Sequence, residues 1–189
     1  TALALKTVEG LVGAEALARG LRAYVVRHAF GHPTGRDLVA VLGERAGRDL
    51  RPFFEQAIWG DAEADWGVTG VRQRERRAAA GSAPNGPAAQ PAGDPEGDAA
   101  PWLVEVDLVR RGGFVGPVEV ELGWADGSFE RRTWDGDEAS VSWRIGSERR
   151  LRQVVVDPDG VWVLETRRAD NYWRDRPLRS SQPLWWVRE

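Results

Sequence analysis

The stretch "WLVEVDLVRRGGFVGPVEVELGWADGS", residues 102–128, has a period of two. Trp102, Val104, Val106 and Leu108 fall on one side of an extended chain, with Glu105 and Asp107 on the other. After "RRGGF" the alternation resumes: Val118, Val120, Leu122 and Trp124 lie opposite Glu119 and Glu121. A helix would repeat every three to four residues, so the segment predicts two half-buried strands closed by "ADGS". Farther on, Ala139, Val141, Trp143 and Ile145 alternate with Ser140, Ser142 and Arg144. "LRQVVV" (151–156) and "VWVLET" (161–166) read as further strands, and "WDGDE" (134–138) and "DPDG" (157–160) as turns. Short strands punctuated this way predict an antiparallel sandwich or barrel, and a β-sandwich is the expectation for 102–175.

Upstream of this region the period changes. "ALALKTVEGLVG" predicts a helix ending at Gly13. Leu17, Leu21, Tyr24, Val25 and His28 then share one helical face, with Gly31 as the expected stop. Thr34 and Asp37 have capping-box spacing ahead of a stripe of Leu38, Val39, Leu42 and Ala46, which Gly47 closes. Asp49 is the expected cap of a last helix carrying Leu50, Phe53, Phe54, Ala57 and Ile58 and stopped by Gly60; Pro52 is tolerated in its first turn. The predicted fold class is α+β, with about four helices followed by an antiparallel β-sandwich.

Residues 61–77 are expected to be a connecting strand, part of the sandwich, with "WGVTGVRQRERR" (66–77) extended. Residues 78–101 carry no aromatic or large aliphatic side chain and predict a flexible linker or loop. The tail 176–189 shows no clear period.

Composition removes several function classes. There is no cysteine, so disulfides, thiol catalysis and cysteine zinc sites are excluded and the compartment stays open. No apolar run reaches the ~18 residues of a membrane span. Lys6 is the only lysine, so 25 of the 26 basic residues are arginine, and the net charge of −3 gives no global attraction to nucleic acid. The chain has no methionine and opens on "TALALKTVEG", which suggests a piece of a longer protein.

The only two histidines, His28 and His32, stand four apart, the spacing of two helical zinc ligands. But Ala29 follows His28 where a general-base glutamate belongs. Gly31 and Pro33 bracket His32, and proline disfavours a helical residue before it. The pair is therefore read as a helix-end histidine followed by a turn. "DPDG" and "DGDE" could offer carboxylates to calcium, but they lack the spacing of a dedicated loop and suit ordinary turns. Arg72, Arg74, Arg76 and Arg77 could touch phosphates, yet Glu75 and the acidic balance favour a solvated strand edge. Trp102, Trp124 and Trp143 lie on inward strand faces. Trp134, Trp162 and Trp173 remain for an outward aromatic platform, the basis of an alternative reading as a non-catalytic module binding carbohydrate or protein.

Within the helical third, Val12-Gly13, Glu15, Leu21, Tyr24, His28 with Phe30, Thr34, Asp37-Leu38, Gly47, Asp49-Leu50, Phe53-Phe54 and Gln56 form a block. That block resembles a stretch of the aminopeptidase N-like zinc metallopeptidases, the gluzincin aminopeptidases. "PVEVELGWADGS", "TWDGDE" and "VVVDPDG" resemble, more weakly, the β-sandwich that follows their catalytic domain. The resemblance implies that residues 1–60 are the helical end of a thermolysin-like catalytic domain. In that family His-Glu-x-x-His and a later glutamate bind zinc, and a tyrosine stabilises the tetrahedral intermediate. The matched block begins downstream of all four, so none is carried over to a residue here. No catalytic, cofactor-binding or metal residue is expected in this chain. Zinc is expected in the full-length parent, and the upstream catalytic domain and a peptide substrate are the implied partners. Ala57 stands where the family often has tryptophan, and the 78–101 insert is unusual for it.

Overall fold

The computed structural model describes residues 1–76 and 100–175. Four helices come first: α1 (Ala2–Val12), α2 (Ala14–Arg27), α3 (Gly35–Ala46) and α4 (Arg51–Phe54), the last continuing as one π-helical turn, Glu55–Trp59. Gly13, at φ 87°, ends α1 and starts α2, a backbone state that a residue with a Cβ rarely adopts. The capping box of α3 forms as its spacing predicts: the Asp37 amide donates to Thr34 Oγ1 at 3.3 Å, and the Thr34 amide to Asp37 Oδ2 at 2.7 Å. Gly47 closes α3 in the left-handed region.

Three local expectations are corrected. Helix α2 ends at Arg27 with His28 as its cap, and the left-handed residue of the following turn is Phe30, at φ 64°, not Gly31. The backbone cap of α4 is Leu50; Asp49 sits one residue earlier, its carboxylate accepting from the Arg51 amide and guanidinium. Val25 and Ile58, placed on inward stripes by their spacing, are 66% and 37% exposed.

Seven strands follow: β1 (Trp66–Glu75), β2 (Trp102–Arg110), β3 (Val118–Trp124), β4 (Phe129–Trp134), β5 (Ser140–Ser147), β6 (Leu151–Val156) and β7 (Tyr172–Arg174). They form two antiparallel sheets, β1-β2-β5 and β4-β3-β6-β7. Val104, Val106 and Leu108 of one sheet and Val118, Val120, Leu122, Val154 and Val156 of the other are all at most 2% exposed and share one core. The two sheets are also tied by Gln73 of β1, whose side-chain amide exchanges hydrogen bonds with Leu151 of β6: Nε2 donates to the carbonyl at 3.1 Å, and Oε1 accepts from the amide at 3.0 Å. The fold is thus helices followed by a β-sandwich. Residues 78–99 of the expected linker, the tail 176–189 and Arg77 lie outside the described residues. Of the expected linker, Ala100 and Pro101 are described: Ala100 is buried, and the Pro101 carbonyl accepts the Arg76 amide at 2.7 Å.

One expected strand is absent and two unexpected ones are present. "VWVLET" (161–166) is irregular. The carboxylate of Asp157 takes the Val161 and Trp162 amides at 2.8 and 3.0 Å, and the Val163 and Glu165 amides turn back to the carbonyls of Val161 and Trp162. With those donors satisfied locally, the segment has no row of amides left for a ladder. Val161 and Trp162 turn toward the helices instead, against Gly10 and Phe53. Strands β4 and β7 form at the edge of the second sheet.

Candidate functional site: an exposed helix face and a buried junction

The residues weighed as chemical candidates do not converge. His28 is half-buried against the ring of Tyr24, at 5.2 Å between centroids, while His32 is exposed. Among the described residues no group of three or more histidine, aspartate or glutamate side chains is arranged to hold a metal ion. The described residues therefore do not fit a zinc site. In "DPDG" the Asp157 carboxylate is used by the turn itself, and Asp159 pairs with Arg131 at 2.6 Å. Arg72 pairs across the sheet with Glu105 and Asp107, as a solvated strand does. Trp134 and Trp162 are 6% and 3% exposed, which removes two of the three rings available to an outward platform.

A different surface stands out at the C-terminal end of α2. Val25, Val26 and Phe30 are 66%, 74% and 107% exposed. Leu17 and Gly20 of the same helix face the core, where an added Cβ on Gly20 would lie 2.7 Å from Leu42 of α3. Val26 is turned about half a revolution from Leu17 at 100° per residue, so it lies on the outer face. Beside it runs a shallow groove between α2 and α3, lined by Arg19, Arg22, Ala23, Val26, Glu44 and Arg45. Arg19 is paired with Glu15, and Glu44 with Arg27 at 2.8 Å. Arg22 and Arg45 have no ion pair among the described residues. A solvent-facing valine doublet and a phenylalanine at the end of a helix that also presents an arginine-lined groove suit a protein interface. The doublet Val25-Val26 was the available sequence signal, since a one-sided stripe accommodates only one of the two.

The second feature is the seam between helices and sandwich. Trp162 sits 4.8 Å from Trp66, 5.1 Å from Phe114 and 6.1 Å from Phe53 between ring centroids. Its Nε1 donates to the Pro117 carbonyl at 3.1 Å. One aromatic cluster therefore joins α4, β1, the β2–β3 loop and the 157–166 segment. Directly beneath lies Glu165, whose side chain is fully buried. Oε1 accepts the Trp66 amide at 3.2 Å and Oε2 the Asn171 side-chain amide at 2.6 Å. Burial is the main reason its acidity is weakened, its pKa being pushed up to about 7; the two hydrogen bonds and Arg168 oppose that shift, and Asp157 adds to it. Sequence periodicity gives no sign of this carboxyl, because its partner Trp66 is 99 residues away. A cleft of about 220 Å³ also opens between α1 and the second sheet; of its three carboxylates, Glu119 and Asp159 are held by Arg131 and Asp157 by the Val161 and Trp162 amides.

No protein-family model matches the chain. A 49-residue part of it is 46% identical to an aminopeptidase N of Streptomyces lividans; the match covers 26% of this chain and 6% of that enzyme. The chain therefore aligns with only a small part of the relative's length. Among solved structures, an aminopeptidase A of Legionella pneumophila, crystallised in complex with aspartic acid, superposes with a TM-score of 0.46 at 13% identity, over 82% of this chain and 16% of that one. The chain is thus aminopeptidase-like over part of its sequence.

Proposed function

We propose that this chain is the C-terminal part of an aminopeptidase-like zinc metallopeptidase. In this reading residues 1–60 are the helical end of the catalytic domain, 61–77 the connecting strand and 102–175 the sandwich. The chain holds no catalytic or zinc-binding residue of its own. The observation that carries the reading is the 46% identity over 49 residues to an aminopeptidase N. The exposed Val25, Val26 and Phe30 support it as well, since they offer the upstream catalytic domain a surface to cover. The helices act by walling the substrate cleft and bracing the active-site helix of the parent. The zinc, the general base and the peptide substrate belong to that upstream domain.

The test measures bound zinc and release of amino acids from aminoacyl arylamides, first for this polypeptide alone and then for it joined to its upstream catalytic domain. The expected outcome is neither zinc nor turnover for the chain alone, and both for the joined protein. Stoichiometric zinc with turnover by this chain alone overturns the reading.

A further inference from the structure

The buried carboxyl of Glu165 sits where two otherwise separate segments meet. On one side the chain leads from the helices into β1 through Ala64, Asp65 and Trp66. On the other runs the irregular segment from Trp162 to Asn171. Ala64 and Glu165 form an isolated parallel bridge, and the Thr166 amide donates to the Ala64 carbonyl at 3.0 Å. Nearby, the Val68 amide donates to the Asp170 carbonyl at 2.8 Å. Glu165 adds the side-chain fastening, taking the Trp66 amide on one oxygen and the Asn171 amide on the other.

Its electrostatic surroundings are poor in compensation. Both hydrogen-bond donors are neutral. The nearest cation, Arg168, reaches only to 3.9 Å from Oε2 and is shared with Asp157, at 3.7 Å. The adjacent acids Asp65 and Asp170 are both tied to Arg111 and have no cation to spare. A carboxylate buried without its own counter-charge is costly, and the group relieves that cost by holding a proton.

We propose that Glu165 is a proton-operated latch on the seam between helices and sandwich, closed while its carboxyl is neutral and loosened when it ionises. Ionisation leaves a buried negative charge facing Asp157, and the escape from it is to part the Ala64–Thr166 pairing and let water reach the carboxylate. The opening is centred on the Ala64–Thr166 and Trp66–Glu165 contacts; Leu122, paired with Val154 and Glu130 in the middle of β3, takes part in neither.

The experiment uses the whole chain carrying His28→Gln and His32→Gln, which leaves the chain without an imidazole. Carboxyl-carbon NMR follows Glu165 from pH 4 to 9. Hydrogen exchange, corrected for its intrinsic pH dependence, follows the Trp66 and Thr166 amides, with Leu122 as the internal reference. Glu165 is expected to titrate near neutrality, and protection at Trp66 and Thr166 to fall on the order of tenfold between pH 5.5 and 8.5, as a raised proton affinity requires. Trp66 and Thr166 are expected to stay less protected than Leu122, whose exchange follows global stability, and Glu165→Gln to abolish the pH change. Titration of Glu165 in the ordinary carboxylate range, equal protection at both pH values, or a pH response that survives in Glu165→Gln overturns the latch. Should Glu165→Gln fail to fold, the NMR titration of the chain with Glu165 intact decides the matter.

Discussion

Gln56 and Val115 exchange a pair of hydrogen bonds across 59 residues of sequence: the Val115 amide donates to Gln56 Oε1 at 2.7 Å, and Gln56 Nε2 donates to the Val115 carbonyl at 3.0 Å. One side chain on the π-helical turn thereby imitates a strand partner for the β2–β3 loop. Nε2 also reaches the Pro52 carbonyl at 3.0 Å, which fixes the rotamer. Gln56→Ala removes both long-range bonds, but Val115 is 38% exposed, so water satisfies what is left behind. The expected loss is about 1–2 kcal/mol. Thermal unfolding checks it, with a fall in Tm of roughly 3–6 °C for a chain of this size; an unchanged Tm would show that the clamp is decorative.

Gly112 gives a steeper prediction at the same loop. A Cβ there would stand 1.8 Å from the Glu63 carbonyl oxygen and 3.1 Å from the Asp65 nitrogen. Both obstacles are backbone, so no rotamer change relieves the clash. Gly112→Ala is expected to destabilise by about 3 kcal/mol, the upper end for overpacking. The measurement is the urea midpoint, which should drop with an unchanged slope.

The alternation of β2 and β3 and the capping box of α3 were legible because each is local: burial recurs every second residue, and a cap needs only four residues. Strand β4 was not. Half of its side chains are charged and only Trp134 is buried, while Arg131 pairs with Glu119 and Glu121 across the ladder, so pairing with β3 more than burial holds this edge in place. "VWVLET" misled for the opposite reason: its Trp162 is buried, but by the aromatic seam and not by a sheet, while Val161, Val163 and Leu164 are only partly covered. The site features split in the same way. Gln56 stood in the block that resembles an aminopeptidase, yet its partner could not be read. Glu165 left no trace, since its burial depends on contact with Trp66, far away in the chain.

Phe30 combines a fully exposed ring with a left-handed backbone at φ 64°. No burial is lost by removing the ring, and a Cβ in that region costs about 1–2 kcal/mol. Glycine gives part of this back through the greater freedom of the unfolded chain, so Phe30→Gly is expected to stabilise by about 0.5–1 kcal/mol. Denaturant unfolding reads that gain. Under the proposed function the same variant binds the upstream catalytic domain more weakly, so a rise in stability accompanied by a loss of association is the paired signature.

The pH dependence of global stability carries a definite sign from Glu165. Its folded-state pKa, about 7, is raised above the ordinary value of 4.5. The folded chain therefore binds the proton more tightly than the unfolded one. The contribution is fully present below about pH 4.5 and is lost as pH rises through about 7. In the background lacking both histidines, stability measured by urea unfolding should decline across that window. Glu165→Gln should flatten the decline, and a decline of equal size in that variant would assign it to other groups.

Trp162 offers the most direct test of whether helices and sandwich behave as one cooperative body. Its ring is 3% exposed, touches Phe53 from the helices and Trp66 and Phe114 from the sandwich side, and anchors Nε1 on Pro117. Trp162→Ala removes the one ring common to all these contacts and is expected to cost about 3–5 kcal/mol. Trp162→Phe keeps an aromatic body but leaves the Pro117 carbonyl without its donor, for a smaller loss of about 1–3 kcal/mol. Unfolding is to be followed at once by far-UV circular dichroism, which reports the helices, and by near-UV dichroism, which reports the packed tryptophans. If the seam couples the two parts, the curves coincide in the native chain and separate in Trp162→Ala, the helical signal melting first. Coincident curves in the variant would mean that the helices are held to the sandwich by something other than this ring.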